Sequence, residues 1–119
     1  MRNLGQLEAM IMDVLWDNPQ RALRVREVHE LLETPPERAY TTVMTVLDNL
    51  YKKGWAVRHQ EGKGYLYLPA QRREEAAADA MREILDQAGD PEAALIHFAR
   101  TATSSQVAAM RRALAKRRR

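Results

Sequence analysis

A chain of 119 residues suits one domain, or a small domain with an appendage, and can bury a core without staples. The absence of cysteine excludes disulfides, thiolate metal sites and cysteine nucleophiles. The formal charge is +3: residues 1–70 are balanced, residues 71–110 are acidic, and the last nine residues, RRALAKRRR, hold six bases and no acid. No apolar run approaches the roughly 18 residues that span a membrane. The opening MRNLGQLEAM has neither the apolar stretch nor the cleavage site of a signal peptide, so a cytoplasmic location is expected.

Leu7, Ile11, Val14 and Leu15, with Met10 beside them, recur at helical spacing and predict a first helix over residues 7–17. Gly5 can cap it, Glu8 suits its first turn, and Asn18-Pro19 stops it. A short extended piece, residues 22–24, follows. VREVHELLE predicts a second helix with Val25, Val28, Leu31 and Leu32 on one face, ended by Thr34-Pro35-Pro36. AYTTVMTVLDNLYKKGW predicts a third, closed by Gly54 in a left-handed cap. WAVRHQ and YLYLP then read as strands around a four-residue turn, EGKG, making a β-hairpin.

Composition shifts after Pro69. An Ala-rich helix carries Ala77, Ala80, Met81, Ile84, Leu85 and Ala88 on one stripe. Asp90-Pro91 opens a helix with Leu95, Phe98 and Ala99, and a capping box from Thr103 to Gln106 opens a last one with Val107, Met110 and Leu114. Three helices and a hairpin are the order of a winged helix-turn-helix, expected over residues 1–70. The helices of residues 71–119 have narrow apolar stripes that suit a second copy of the chain better than solitary folding; packing on the first half is the other arrangement open to them.

The third helix divides cleanly on a helical wheel. Tyr40, Val43, Met44, Val46, Leu47, Leu50 and Tyr51 share one arc, and Thr41, Thr42, Thr45, Asp48, Asn49, Lys52 and Lys53 fill the other. The β-branched residues cost the helix only about a few tenths of a kcal/mol each. Small side chains permit close approach to a surface. Threonine offers a hydroxyl to phosphates or base edges and a methyl to thymine. Lys52 and Lys53 stand at the far end for phosphates, and Arg58, His59 and Lys63 lie on the hairpin, where a wing meets the flanking backbone. An ordinary solvated surface accounts for these charges equally well at this point. Tyr65 and Tyr67 are expected beneath the hairpin.

Catalytic signals are poor. HELLE starts like the zinc motif H-E-x-x-H but lacks its second histidine, and His29, His59 and His97 fall on different elements. Ser104-Ser105 is explained by capping. Neither enzyme, metal nor cofactor is expected. A protein-binding winged helix is the alternative to a DNA-binding one, although protein interfaces favour aromatic anchors over threonines.

LGQLEAMIMDVLW, VREVHELL, AYTTVMTVLDNLYKKGW and GYLYLP, in this order and spacing, resemble the BlaI/MecI/CopY family of bacterial repressors, the penicillinase repressors, and most of all its actinobacterial BlaI-type members. The resemblance runs from Leu4 to about Leu114. It implies a homodimer whose third helices enter major grooves at palindromic operators with TACA/TGTA-type half-sites, regulating β-lactamase or related cell-wall stress genes. By position, Thr41, Thr42 and Thr45 fall where the family reads bases, with Met44 at the edge. Lys52, Lys53, Arg58 and Lys63 fall near its phosphate contacts. Asn49 stands at a backbone-contact position often held by arginine, and Arg24 where serine or threonine commonly caps the second helix. The dimerisation residues implied are Ala77, Met81, Ile84, Leu85, Leu95, Phe98, Val107, Met110 and Leu114. Induction in the penicillinase branch follows cleavage of an Asn-Phe bond, by or through a BlaR-like membrane sensor protease. ALIHFAR resembles that stretch and sets the bond at His97-Phe98, with histidine in place of the asparagine. The copper-responsive branch carries a C-terminal cysteine cluster, which this chain lacks. The basic tail suits nonspecific DNA affinity or a solubilising end.

Overall fold

The computed structural model describes residues 4–32 and 39–117. Helix α1 (Gln6–Asp17) is followed by strand β1 (Leu23–Arg24), helices α2 (Val25–Leu31) and α3 (Tyr40–Lys52), strands β2 (Ala56–Glu61) and β3 (Gly64–Pro69), and helices α4 (Arg73–Asp86), α5 (Pro91–Thr101) and α6 (Ser104–Arg117). The Thr34-Pro35-Pro36 stop, Arg118 and Arg119 lie outside the described residues.

Local chemistry accounts for the helix ends. The Gly5 N–H donates to Glu8 Oε1 at 2.8 Å, and the Arg24 N–H to Glu27 Oε1 at 3.0 Å, so an acid in the first turn reaches back in both. Arg24 therefore starts α2 without a capping side chain. Asp90 Oδ1 accepts from the Ala93 N–H, and Thr103 and Gln106 cap α6 reciprocally as expected. Gly54 ends α3 at φ +88°, a conformation that a Cβ disfavours.

The three strands form one antiparallel sheet in the order β1-β3-β2. Leu23 pairs with Tyr67, and Glu61 with Gly64. The expected four-residue turn is thus shortened to Gly62-Lys63, because Glu61 and Gly64 join the ladder and Gly62 supplies the positive φ, +62°, that a two-residue hairpin needs. The extended piece before α2 is the third strand.

The chain divides into two compact units, Met1–Ala80 and Met81–Arg119, later than the division at residue 70 expected from composition. The start of α4 belongs with the first unit: Ala76 is buried, the Trp16 indole N–H donates to the Gln71 carbonyl at 3.1 Å, and Arg73 pairs with Asp13. The core of this unit joins Ile11, Met12 and Leu15 of α1, Val25 and Val28 of α2, Val43, Leu47 and Leu50 of α3, and Leu23, Trp55, Ala56 and Tyr67 around the sheet. Met12, rather than the expected Met10, is buried, since the inner arc of α1 runs through residues 8, 11, 12 and 15.

That arc puts Glu8 on the inner side, where a charge needs a partner. Lys53 Nζ supplies it at 2.6 Å, with the two side chains only 29% and 14% exposed. The Lys53 ammonium first, then the Gly5 N–H, hold the Glu8 carboxyl below its ordinary value of 4.5. Folded, Glu8 binds its proton less readily than in the unfolded chain. Its contribution to stability is therefore full above about pH 4.5 and is lost as pH falls through the lowered value. Glu8→Gln is expected to cost about 1.5–3 kcal/mol at neutral pH, the usual worth of a hydrogen bond to a charged group. The deficit should shrink at acid pH. Urea unfolding at pH 7 and pH 3 measures both.

In the second unit no residue of α5 or α6 is buried. Met81, Ile84, Leu95, Ile96, Phe98, Met110 and Leu114 are all exposed large apolar side chains. Of the other side chains expected at a dimer contact, Ala77 is exposed in the first unit, and Leu85 and Val107 are half-buried. Ile96 is an apolar neighbour that the helical stripe did not include.

Candidate nucleic-acid interface

The wheel of α3 holds for its polar arc and for the centre of its apolar arc. Val43, Leu47 and Leu50 are fully buried, while Thr41, Thr42, Thr45 and Asn49 are exposed. Met44, Tyr40 and Tyr51 are exposed although they share the apolar arc, because the core takes only a narrow stripe of the helix. The outer face of α3 is therefore low and hydroxyl-rich at its N-terminal half, with a thioether and two phenol rings along its edges.

The cations do not all lie where they were expected. Lys52 is well exposed at the end of α3, paired at 2.9 Å with Asp48 one turn earlier. Lys63 is exposed at the hairpin tip. Lys53 and Arg58, both expected to meet phosphates, are engaged internally. Lys53 turns toward α1 and Glu8. Arg58 lies on the inner side of β2 and is 17% exposed, its Nη1 donating to Asp48 Oδ1 at 2.8 Å and to the Tyr67 hydroxyl at 3.3 Å. Its guanidinium carbon is 4.0 Å from the ring centroids of both Tyr51 and Tyr65. Tyr67 is buried beneath the hairpin as expected, whereas Tyr65 is partly exposed beside Arg58. His59 is exposed on β2, and His29 meets the Tyr40 ring edge-on, with centroids 6.1 Å apart.

Two further cations border this face and were not expected there. A groove of about 410 Å³ between the start of α2, Tyr40 and the hairpin is lined by Arg24, Arg26, Tyr40, Gly64 and Tyr65. Arg24 also pairs with Glu61, tying the start of α2 to the hairpin. The spacing of Arg21, Arg24 and Arg26 was visible in the sequence, but nothing local announced that the hairpin would lie beside it. Among the described residues no group of three or more histidine, aspartate and glutamate side chains is arranged to hold a metal ion.

A helix-turn-helix of α2 and α3, backed by α1 and flanked by a hairpin whose sheet β1 completes, defines a winged-helix head. The chain belongs to the penicillinase repressor family, whose sequence model matches residues 4–116. It is 40% identical over 119 residues to the transcriptional regulator BlaI of two Mycobacterium tuberculosis strains, CDC 1551 / Oshkosh and H37Rv, a match that spans 98% of this chain and 86% of each relative. The solution structure of the DNA-binding domain of the repressor BlaI superposes with a TM-score of 0.51 at 26% identity, covering 61% of this chain and 90% of that one. The crystal structure of MepR, a transcription regulator of the Staphylococcus aureus multidrug efflux pump MepA, shares the fold at a TM-score of 0.52 and 17% identity, over 96% of this chain and 77% of that one.

Proposed function

We propose that this chain is a transcriptional repressor that binds double-stranded DNA as a homodimer and has no catalytic activity. Each head sets α3 in a major groove at one half of a TACA/TGTA-type inverted repeat. The observation that carries this reading is the exposed face of Thr41, Thr42 and Thr45 on a helix whose opposite side is locked in the core. Asn49 and Met44 border that face, and Lys52 and Lys63 supply phosphate contacts at its ends. Membership of the penicillinase repressor family supports the same reading. The dimer is supported by the apolar side chains that α4, α5 and α6 leave exposed, which an isolated chain has no use for. Among the described residues no helix is long and apolar enough to cross a membrane, in keeping with a repressor that works in the cytoplasm.

The genes repressed are, on this reading, those for β-lactamase or related cell-wall stress responses, and repression ends when the dimer is disrupted. A BlaR-like membrane sensor protease acting at His97-Phe98 fits that scheme. Both residues lie inside α5, and their carbonyls accept from the Thr101 hydroxyl at 3.1 and 3.2 Å. The bond must therefore be exposed by local unwinding before it is cut.

Thr45→Ala is expected to relax discrimination at one base pair by roughly 1–3 kcal/mol. Lys63→Ala should weaken every sequence alike and lower the salt slope by about 0.9, the worth of one phosphate contact. Gel shifts of an inverted-repeat duplex and a scrambled duplex at two salt concentrations measure both. Binding without sequence preference or salt dependence would remove the repressor reading.

A further inference from the structure

Arg58, on β2, is held by two further elements at once. From β2 it reaches Asp48 and Tyr51 on α3, and Tyr65 and Tyr67 on β3. Its planar fork suits this setting: it can lie against aromatic rings and still donate in its own plane, which a lysine ammonium cannot do. Asp48, close to the face of α3 proposed for the groove, is bonded by Lys52 and Arg58 together. Left bare, that carboxylate would repel a phosphate backbone.

The threonines of α3 and Lys63 at the hairpin tip can meet one duplex together only if the hairpin keeps its angle to the helix. The turn Gly62-Lys63 and the sheet fix the hairpin internally, and its buried Ala56 and Tyr67 share the core with α3; the Arg58 cluster adds a polar grip at the outer edge, beside Asp48. Pre-setting that angle removes an ordering cost from binding. We propose that Arg58 is a positioning residue for DNA recognition, locking the wing to α3 and masking Asp48, and is not itself a phosphate contact. This rests on the DNA-binding reading above and assigns a role within it.

The test uses the full chain and a duplex that the wild-type chain selects from a random pool, beside an unselected duplex. With Arg58→Ala the preference for the selected duplex is expected to fall about tenfold, the effect of losing one good interaction. Lys52 still covers Asp48 in this variant, so the slope of log affinity against log salt should stay at the wild-type value, whereas losing a phosphate contact lowers it by about 0.9. Arg58→Lys keeps the charge and is expected not to restore the preference. Asp48→Asn removes a negative charge near the DNA, yet should also lower the preference, because it loosens Arg58. A lowered salt slope in Arg58→Ala, or wild-type preference in Arg58→Lys, overturns the proposal. Unchanged preference in Asp48→Asn overturns it too, and this variant decides alone if the Arg58 variants melt below the assay temperature. If the wild-type chain selects no duplex, the DNA-binding reading itself falls and takes the proposal with it.

Discussion

The double variant Leu95→Glu/Phe98→Glu is expected to behave as a single chain in solution and to lose roughly 10²–10⁴-fold in affinity for an inverted-repeat duplex. Both side chains are exposed on α5, spaced three residues apart and so on one side of the helix. A carboxylate at each site leaves that helix soluble and helical but makes it repel a second copy. The affinity follows from geometry rather than from any lost DNA contact. Two joined heads engage a palindrome with the second head at high effective concentration, while separate heads must each bind from solution. A single half-site should therefore bind wild type and variant alike. Light scattering gives the mass, and gel shifts on full and half sites give the affinities. A variant that keeps both the dimer mass and the full-site affinity would show that this face of α5 holds nothing together.

The largest effect on stability is expected from Leu47→Ala, at about 2–5 kcal/mol. Leu47 is fully buried, on the core face of α3 among Ile11, Leu23 and Tyr67. Removing its branch costs the transfer energy of the lost methyl groups and leaves a cavity in the core. A domain of this size is stable by about 5–15 kcal/mol, so the variant loses a large share and α3 loses its seat. Thr41→Ala, one and a half turns away on the exposed face, should change stability by less than about 0.5 kcal/mol. Both tryptophans, Trp16 and Trp55, lie in the first unit with their rings 6.3 Å apart, so their fluorescence reports urea unfolding of the head directly. Comparable losses in the two variants would mean that the division of α3 into core and exposed faces is wrong.

Acid should weaken the head further, and for one shared reason. Glu27 and Asp48 join Glu8 in having their carboxyls held below the ordinary range, Glu27 first by the Arg24 N–H and Asp48 first by Lys52. Each contributes stability that is present above its unfolded value and lost as pH falls through the folded one.

The division of α3 was legible because it is local. Val43, Leu47 and Leu50 recur at the helical period, and the threonines between them fall on the other side whatever the rest of the chain does. The same holds for the Asp90 and Thr103 caps and for Gly54. Strand β1 was not legible as a strand, since a two-residue run carries no alternation and exists only because β3 lies beside it. The cations were the least legible of all. Lys53 and Glu8 are 45 residues apart, and nothing near either names the other. Arg58 looked like a free wing charge until the hairpin folded back on α3 and enclosed it among Asp48, Tyr51, Tyr65 and Tyr67. The sequence by itself determined the order of elements, the buried stripe of α3 and the exposed threonines opposite it, because helical period and turn chemistry act within a few residues. Only the tertiary structure decided which cations stand free at the surface and which brace the head, because a charge takes its partner from the way distant elements cross.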